Sequence, residues 1–235
     1  MNIEILQSAK DALNKDFSGK NVVIIDVLRA TTVMVTALNN GAKKIYPFKD
    51  IEKVLSESRK SSNPILAGER KGLKIDGFHF GNSPLDFTKE AISGKDIYQT
   101  TSNGTRAIEN SLSADKIYIA SFLNLSAISN QLIKDKKDTV IVCAGTDDEF
   151  SLDDGLCAGM IANKVISKLD NIKMNDFTIS LQQLGNLTSN VNDILKNSKH
   201  YSYLKTIGYE GDLEYCLSID LYDIVPFYDN DGIIL

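Results

Sequence analysis

Four carboxylates and three arginines stand in short polar segments of this chain, and their types suit the handling of a phosphorylated anion. The segments are Asp26-Val27-Leu28-Arg29-Ala30-Thr31-Thr32, Gly68-Glu69-Arg70-Lys71-Gly72, Thr100-Thr101-Ser102-Asn103-Gly104-Thr105-Arg106 and Ser151-Leu152-Asp153-Asp154. Carboxylate oxygens are ligands for hard Mg²⁺, which keeps several waters and takes phosphate oxygens as further ligands. Hydroxyls, an Asn and a Gly opening a helix present backbone N–H groups to an anion. The arginines carry the strongest signal. Of 26 basic residues only Arg29, Arg59, Arg70 and Arg106 are Arg, and three of these fall in the segments above. A guanidinium grips phosphate, sulfonate or carboxylate at two points, whereas Lys acts as a hydrated point charge.

Each feature also has an ordinary explanation. Asp26 serves equally as a helix N-cap or as an ion-pair partner of Arg29. Asp153 and Asp154 fall in a first helical turn, where the dipole favours acids. Thr100–Arg106 reads as a polar turn with a hydroxyl cap, and the arginines as structural ion pairs. GxxxxGK[ST], GxGxxG and GxSxG are absent, and neither His79 nor His200 lies in a motif, so nucleotide cofactors and Ser-His or Cys-His catalysis find no support. The stretch Asp76–Ser83 lacks secondary-structure signals and reads as a lid or a surface excursion.

The elements that must position these segments alternate. Strand signals fall at Val22–Ile25, Lys44–Tyr46, Ile65–Ala67, Lys95–Gln99, Ile117–Ala120 and Thr139–Cys143. Helix signals fall at Ala30–Asn40, Ile51–Lys60, Thr105–Ser111, Ser126–Lys134 and Leu152–Leu169. This rhythm predicts an α/β fold, a three-layer α/β/α arrangement on a mainly parallel or mixed sheet. Runs such as VVII and TVIVC suit strands covered on both faces. Ligands of such sheets bind beyond the carboxyl ends of strands, where the polar segments fall, together with Ser121-Phe122-Leu123-Asn124 and Ala144-Gly145-Thr146-Asp147. After about Lys168 the pattern loosens: Asp176–Leu181 reads as a strand, Asn190–Asn197 as a helix, and Leu213–Leu217 with Leu221–Val225 is ambiguous. Residues 1–235 are expected to form one domain, or two packed lobes with the second from about residue 170.

Composition narrows the classes. The 235 residues are 43% hydrophobic and 24% charged, which excludes a disordered, collagenous or coiled-coil chain. A net charge of -5 and a pI near 5.1 argue against a nucleic-acid partner. No apolar run is long enough for a membrane span, no leader signal opens the chain, and three scattered cysteines (Cys143, Cys157, Cys216) give no disulfide framework, so a cytoplasmic setting is expected.

In order along the chain, VVIIDVLRATT, LAGERKGLKIDGFHFGNSP, TTSNGTRA, ASFLN and VCAGTDDEFSLDD resemble the 2-phosphosulfolactate phosphatase family, roughly from Val22 to Met160, with Gly208, Asp212 and Val225-Pro226 fitting more loosely. The resemblance implies a Mg²⁺-dependent phosphatase that removes phosphate from (R)-2-phospho-3-sulfolactate, in the family context a step toward coenzyme M. It implies Mg²⁺ on Asp26, Glu69 and Asp154, catalytic roles for Asp26, Arg29, Arg70 and Arg106, and substrate binding by Thr31, Thr32, Thr101, Ser102, Asn103, Gly104, Thr105 and Asn124. Ser102 stands where Thr is expected and Asp153 where Glu is usual. Such a ligand carries about -4, counting -1.5 to -2 for the phosphate. Mg²⁺ with three arginines offsets it locally. Either Asp26 or a metal-bound water attacks phosphorus; the water is favoured because Leu28 occupies the position two residues on, where a DxD-type phosphatase has its acid. A phosphatase for another 2-phospho acid and a non-catalytic phosphoanion-binding protein are the rivals. The expected partner is a small anionic phosphorylated acid, with homo-oligomerisation left open.

Overall fold

The computed structural model describes all residues, 1–235. One parallel set of strands comprises β1 (Ile3–Leu6), β2 (Asn21–Ile25), β7 (Lys116–Ala120) and β8 (Thr139–Cys143), in the spatial order β1-β8-β2-β7. A second set comprises β3 (Lys44–Pro47), β6 (Asp96–Thr100) and β4 (Pro64–Arg70), with the short β5 (Leu73–Lys74) antiparallel at the edge. The last hairpin of the chain, β9 (Phe227–Asp229) and β10 (Gly232–Ile234), lies between them and pairs antiparallel with β7 on one side and β3 on the other. The sheet is therefore mixed.

Three successive antiparallel pairings, β7 with β9, β9 with β10 and β10 with β3, make the sets run in opposite local senses, yet loops from both meet at one cleft. Twist accounts for much of this. At roughly 20–25° per strand, the five steps from β2 to β6 accumulate roughly 100–125°.

Helices cover both faces. Along β2, Val23 and Ile25 join an apolar cluster with α5 (Leu125–Asp135), α6 (Leu152–Ile166) and α7 (Asp176–Leu187). Val22 and Ile24 face the opposite cluster with α1 (Ala30–Asn39) and α4 (Gly104–Glu109). Alternation of side chains along a strand puts each face of VVII against its own core. The short helices α2 (Ile51–Ser58) and α3 (Lys89–Ile92) flank the second set, and α8 (Val191–Leu195), α9 (Lys199–Thr206) and α10 (Glu210–Cys216) complete the chain before the hairpin. No helix is long and apolar enough to cross a membrane.

Asp176–Leu181, expected as a strand, is the start of α7. Asn175 caps it by accepting from the Thr178 amide at 2.8 Å, and Phe177, Leu181 and Leu184 recur at helical spacing toward the core. The segment beyond Lys168 is thus largely helical, more regular than the sequence pattern suggests; Leu213–Leu217 belongs mostly to α10, and Leu221–Val225 forms no regular element.

Helices α6 and α7 cross with their backbones in contact. A Cβ at Gly159 would lie 2.0 Å from the Leu181 carbonyl oxygen, and one at Gly185 would lie 2.6 Å from the Gly159 carbonyl carbon. Because the obstacle is backbone, the helices must separate to admit a methyl. Gly159→Ala is expected to cost at least about 1–3 kcal/mol, read as a fall in denaturation midpoint. An unchanged midpoint would show that the crossing is not close-packed.

Candidate active site

Asp26 follows β2, where the chain turns from sheet to α1. Its Oδ1 accepts from the Ala30 amide at 3.0 Å, and the main chain is locked by Thr31 and Thr32. Their hydroxyls donate to the carbonyls of Asp26 (2.9 Å) and Val27 (2.7 Å). Asp26 Oδ2 faces α4: a Cβ at Gly104 would come within 2.7 Å of it and of Ala30 Cβ, so only glycine lets the two loops close together. Burial, reinforced by Glu69 and Asp153 and opposed by the Ala30 amide and His200, pushes the Asp26 pKa up to about 6.

A cavity of about 340 Å³ opens beside it, lined by Asp26, Arg29, Glu69 and Lys71, by Ser102 and Asn103, and by Lys199, His200 and Tyr203. Segments after β2, β4, β6 and β8 contribute, and α9 forms the facing wall. The C-terminal third therefore builds part of the site. Tyr203 ties α9 to the β4–β5 turn by donating from its hydroxyl to the Lys71 carbonyl at 2.9 Å.

Arg29 is in the cavity wall but firmly held. Its guanidinium pairs with buried Asp212, donates to the Gly72 carbonyl at 2.7 Å and stacks 3.9 Å above the Tyr209 ring. Asp212 in turn accepts from Ser83 Oγ at 2.6 Å. Glu69 is also engaged: Oε1 accepts from the Ser102 amide at 2.8 Å, and Oε2 from the Gly72 amide at 2.7 Å and the Ser102 hydroxyl at 3.3 Å. Part of the anion cradle expected at Thr101–Thr105 is thus filled by a carboxylate of the protein itself. Thr101 and Thr105 satisfy each other, the Thr105 amide donating to Thr101 Oγ1 at 3.2 Å and the Thr105 hydroxyl to the Thr101 carbonyl at 2.9 Å. Ser102 and Asn103 remain on the cavity wall.

Several expected residues lie elsewhere. Arg70 forks away from the cavity to the Glu69 carbonyl (2.7 Å), the Lys49 carbonyl (2.8 Å) and Thr100 Oγ1 (2.9 Å). Arg106 pairs at 2.7 Å with exposed Asp148. Thr31 and Thr32 are fully buried and spent on the backbone. Asn124 is buried too: its Oδ1 caps the Ser121 amide and its Nδ2 donates to the Ile119 and Ile224 carbonyls, fastening the C-terminal tail. Asp154 joins two loops, Oδ1 accepting from the Val27 amide at 2.8 Å and Oδ2 from the Gly145 amide at 3.0 Å. Burial and the neighbouring charges of Asp153 and Asp26 raise its pKa well above the carboxylate range. The Asp76–Ser83 stretch is pinned along β4, His79 Nδ1 accepting from the Leu66 amide at 2.9 Å.

Lys71, Lys199 and His200 line the cavity without having stood out in the sequence. Ser198 caps α9 by accepting from the Tyr201 amide at 3.3 Å, and that hydroxyl before Lys199-His200 was the available local signal. Nothing local says that α9 folds back onto the loops of the sheet.

The fold and the site define an α/β enzyme with a polar cleft beside Asp26, its walls carrying both carboxylates and cations. The sequence matches the family described as 2-phosphosulpholactate phosphatase over residues 7–231. It is 43% identical over 235 residues to a protein of Clostridium tetani, and 40% identical over 235 residues to one of Clostridium acetobutylicum, in each case across the full length of both chains. A Clostridium botulinum protein is 39% identical over 236 residues, covering all of this chain and 99% of its own. All three are named probable 2-phosphosulfolactate phosphatase. The chain belongs to the 2-phosphosulpholactate phosphatase family, a family of phosphoric monoester hydrolases.

Proposed function

We propose that the protein is a Mg²⁺-dependent phosphatase that hydrolyses (R)-2-phospho-3-sulfolactate to 3-sulfolactate and inorganic phosphate. One observation carries this reading: buried Asp26 opens onto a single cleft whose walls hold Arg29, Lys71, Lys199 and His200. A ligand of about -4, with phosphate, carboxylate and sulfonate on a three-carbon frame, needs cations on more than one wall. Lys71 and Lys199, on different elements, suit the two acid groups that do not react.

The donor set also fits a hydrated magnesium ion. No three His, Cys, Asp or Glu side chains converge closely enough to hold a metal unaided. Magnesium asks for less, since one or two carboxylates suffice when waters and substrate phosphate complete the shell. Asp26 and Glu69, both on the cavity wall, would hold it, Glu69 through lone pairs its amide partners leave over; Asp154, buried behind the cavity and not on its wall, would not. When bound, the ion neutralises charge on the transferring phosphoryl group. The chain's own residues do the rest. Arg29, held by Asp212 and the Gly72 carbonyl, is a rigid positive edge of the cleft. Tyr203 and Leu204 of α9 restrict water on the open side.

The decisive assay is phosphate release by the purified protein. Turnover of (R)-2-phospho-3-sulfolactate with Mg²⁺, abolished by EDTA and restored by Mg²⁺, is expected. Equal turnover of 2-phospholactate would reassign the substrate, and no release from any 2-phospho acid would overturn the reading. A second expectation concerns order. Mg²⁺ alone binds weakly in calorimetry, and sulfolactate with phosphate tightens it by about 5- to 150-fold. Tight binding to the unliganded protein would contradict the two-carboxylate site.

A further inference from the structure

Hydrolysis at C2 of a hydroxy acid expels an alkoxide, a poor leaving group unless it is protonated as the P–O bond breaks. The walls of the cleft hold one side chain arranged for that task. His200, on α9, lines the cavity, and its Nδ1 faces inward, 3.7 Å from Asp153 Oδ2 and 3.3 Å from the Thr146 hydroxyl. Asp153 Oδ2 is buried and has no hydrogen-bond partner, while Oδ1 accepts from Ser151 Oγ at 2.6 Å. A buried, half-satisfied carboxylate beside an imidazole is costly unless that imidazole carries charge. The pair leaves Nε2 as the nitrogen free for a ligand, the arrangement in which one group orients a proton-transferring histidine.

The geometry points to His200 as the proton donor to the leaving oxygen, with Asp153 as its positioning residue. This inference rests on the phosphatase reading and deepens it. In the step, the bond between phosphorus and the C2 oxygen breaks with its electron pair going to oxygen, and His200 Nε2–H supplies the proton that makes the hydroxyl. The oxygen of water forms the new bond to phosphorus, giving dihydrogen phosphate. That product returns one proton to the neutral imidazole and leaves as hydrogen phosphate. Nothing beyond ester and water is consumed.

The groups facing His200 agree with this role. Asp153 on α6 and Asp26 after β2 favour the charged ring, and Arg29 at the start of α1 opposes it. Burial also works against the charge, but the pull of the adjacent Asp153 carboxylate outweighs it, and the pKa of His200 lies above its ordinary value. Nothing in the sequence around Asn197-Ser198-Lys199-His200-Tyr201 marks this histidine; its partner lies 47 positions earlier in the chain.

The test measures kcat against pH for the full chain with Mg²⁺ and 2-phosphosulfolactate, for wild type, His200→Gln and Asp153→Asn. Wild type is expected to lose kcat on the alkaline side as His200 deprotonates. His200→Gln is expected to lose about 10²- to 10⁴-fold in kcat, with KM little changed and no alkaline limb. Asp153→Asn removes the charge that holds the proton on the ring, so its alkaline limb moves to lower pH. A His200→Gln enzyme within about threefold of wild type, or an alkaline limb unmoved in Asp153→Asn, overturns the inference. If His200→Gln does not fold, the direction of the limb in Asp153→Asn decides alone. A wild type that releases no phosphate from any ester withdraws the underlying reading, a different result from an active wild type whose His200→Gln variant is unimpaired.

Discussion

Asp26→Asn is expected to lower kcat by about 10³-fold or more, about 4 kcal/mol, without lowering the melting temperature. The two halves of this expectation share one cause. Folding removes the Asp26 carboxylate from water and raises its pKa to about 6, so the charged form is unfavourable in the native state. An acid raised in this way favours the native state at low pH and opposes it above the folded pKa; at pH 8 the cost is about 3 kcal/mol. Asn keeps an oxygen for the Ala30 amide and sheds the charge, so in Mg²⁺-free buffer at pH 8 the midpoint should hold or rise. Catalysis falls because the ionised oxygen facing the cleft is gone. A group that destabilises the fold and sits at the site is the exchange expected of functional residues. Scanning calorimetry with a phosphate-release assay checks both halves. A variant that loses stability and activity together would make Asp26 a structural cap and no more.

The second large effect is on stability. Arg29→Met should cost about 3–5 kcal/mol, because it leaves Asp212 charged and buried without its partner. For a chain of this size that is a fall of roughly 6–20 °C in melting temperature. Both side chains are almost fully inaccessible, and the guanidinium also holds the Gly72 carbonyl and covers Tyr209. The loop after β2, the β4–β5 turn and α10 are therefore fastened at one point. The double variant Arg29→Met/Asp212→Leu should recover much of the loss, since replacing both members removes the orphaned charge. Calorimetry of the three variants completes the cycle. If the double variant is as unstable as the sum of the singles, the pair is not coupled.

Much of the fold was legible, and the failures have physical reasons. The strands VVII and TVIVC announced themselves because they are buried on both faces and carry a continuous apolar run. Asp176–Leu181 misled because Phe, Thr and Ile suit strands, while the Asn175 cap that makes it a helix is a single residue. The β9–β10 hairpin joining the two strand sets was not foreseen. Short strands at a chain end have no pattern of their own, and their pairing is a long-range event.

The site divides in the same way. Asp26, Arg29, Ser102 and Asn103 were findable because each follows a strand, and Glu69 because it stands near the carboxyl end of one; the sheet brings such positions together. Arg70 and Arg106 obey the same rule yet turn outward, a choice of rotamer and local partner that spacing does not encode. Asp154 outranked Asp153 by sequence. In the fold Asp154 is locked by two amides, and it is Asp153 whose free oxygen faces His200.

A crystal structure grown with Mg²⁺, sulfolactate and orthovanadate tests the account most directly. The vanadate should lie in the cavity between Asp26 and the Ser102–Asn103 turn, with the carboxylate and sulfonate reaching Lys71 or Lys199. Vanadate bound at any other surface, with this cavity empty, would contradict the assignment of the cleft as the place where the ester is cleaved.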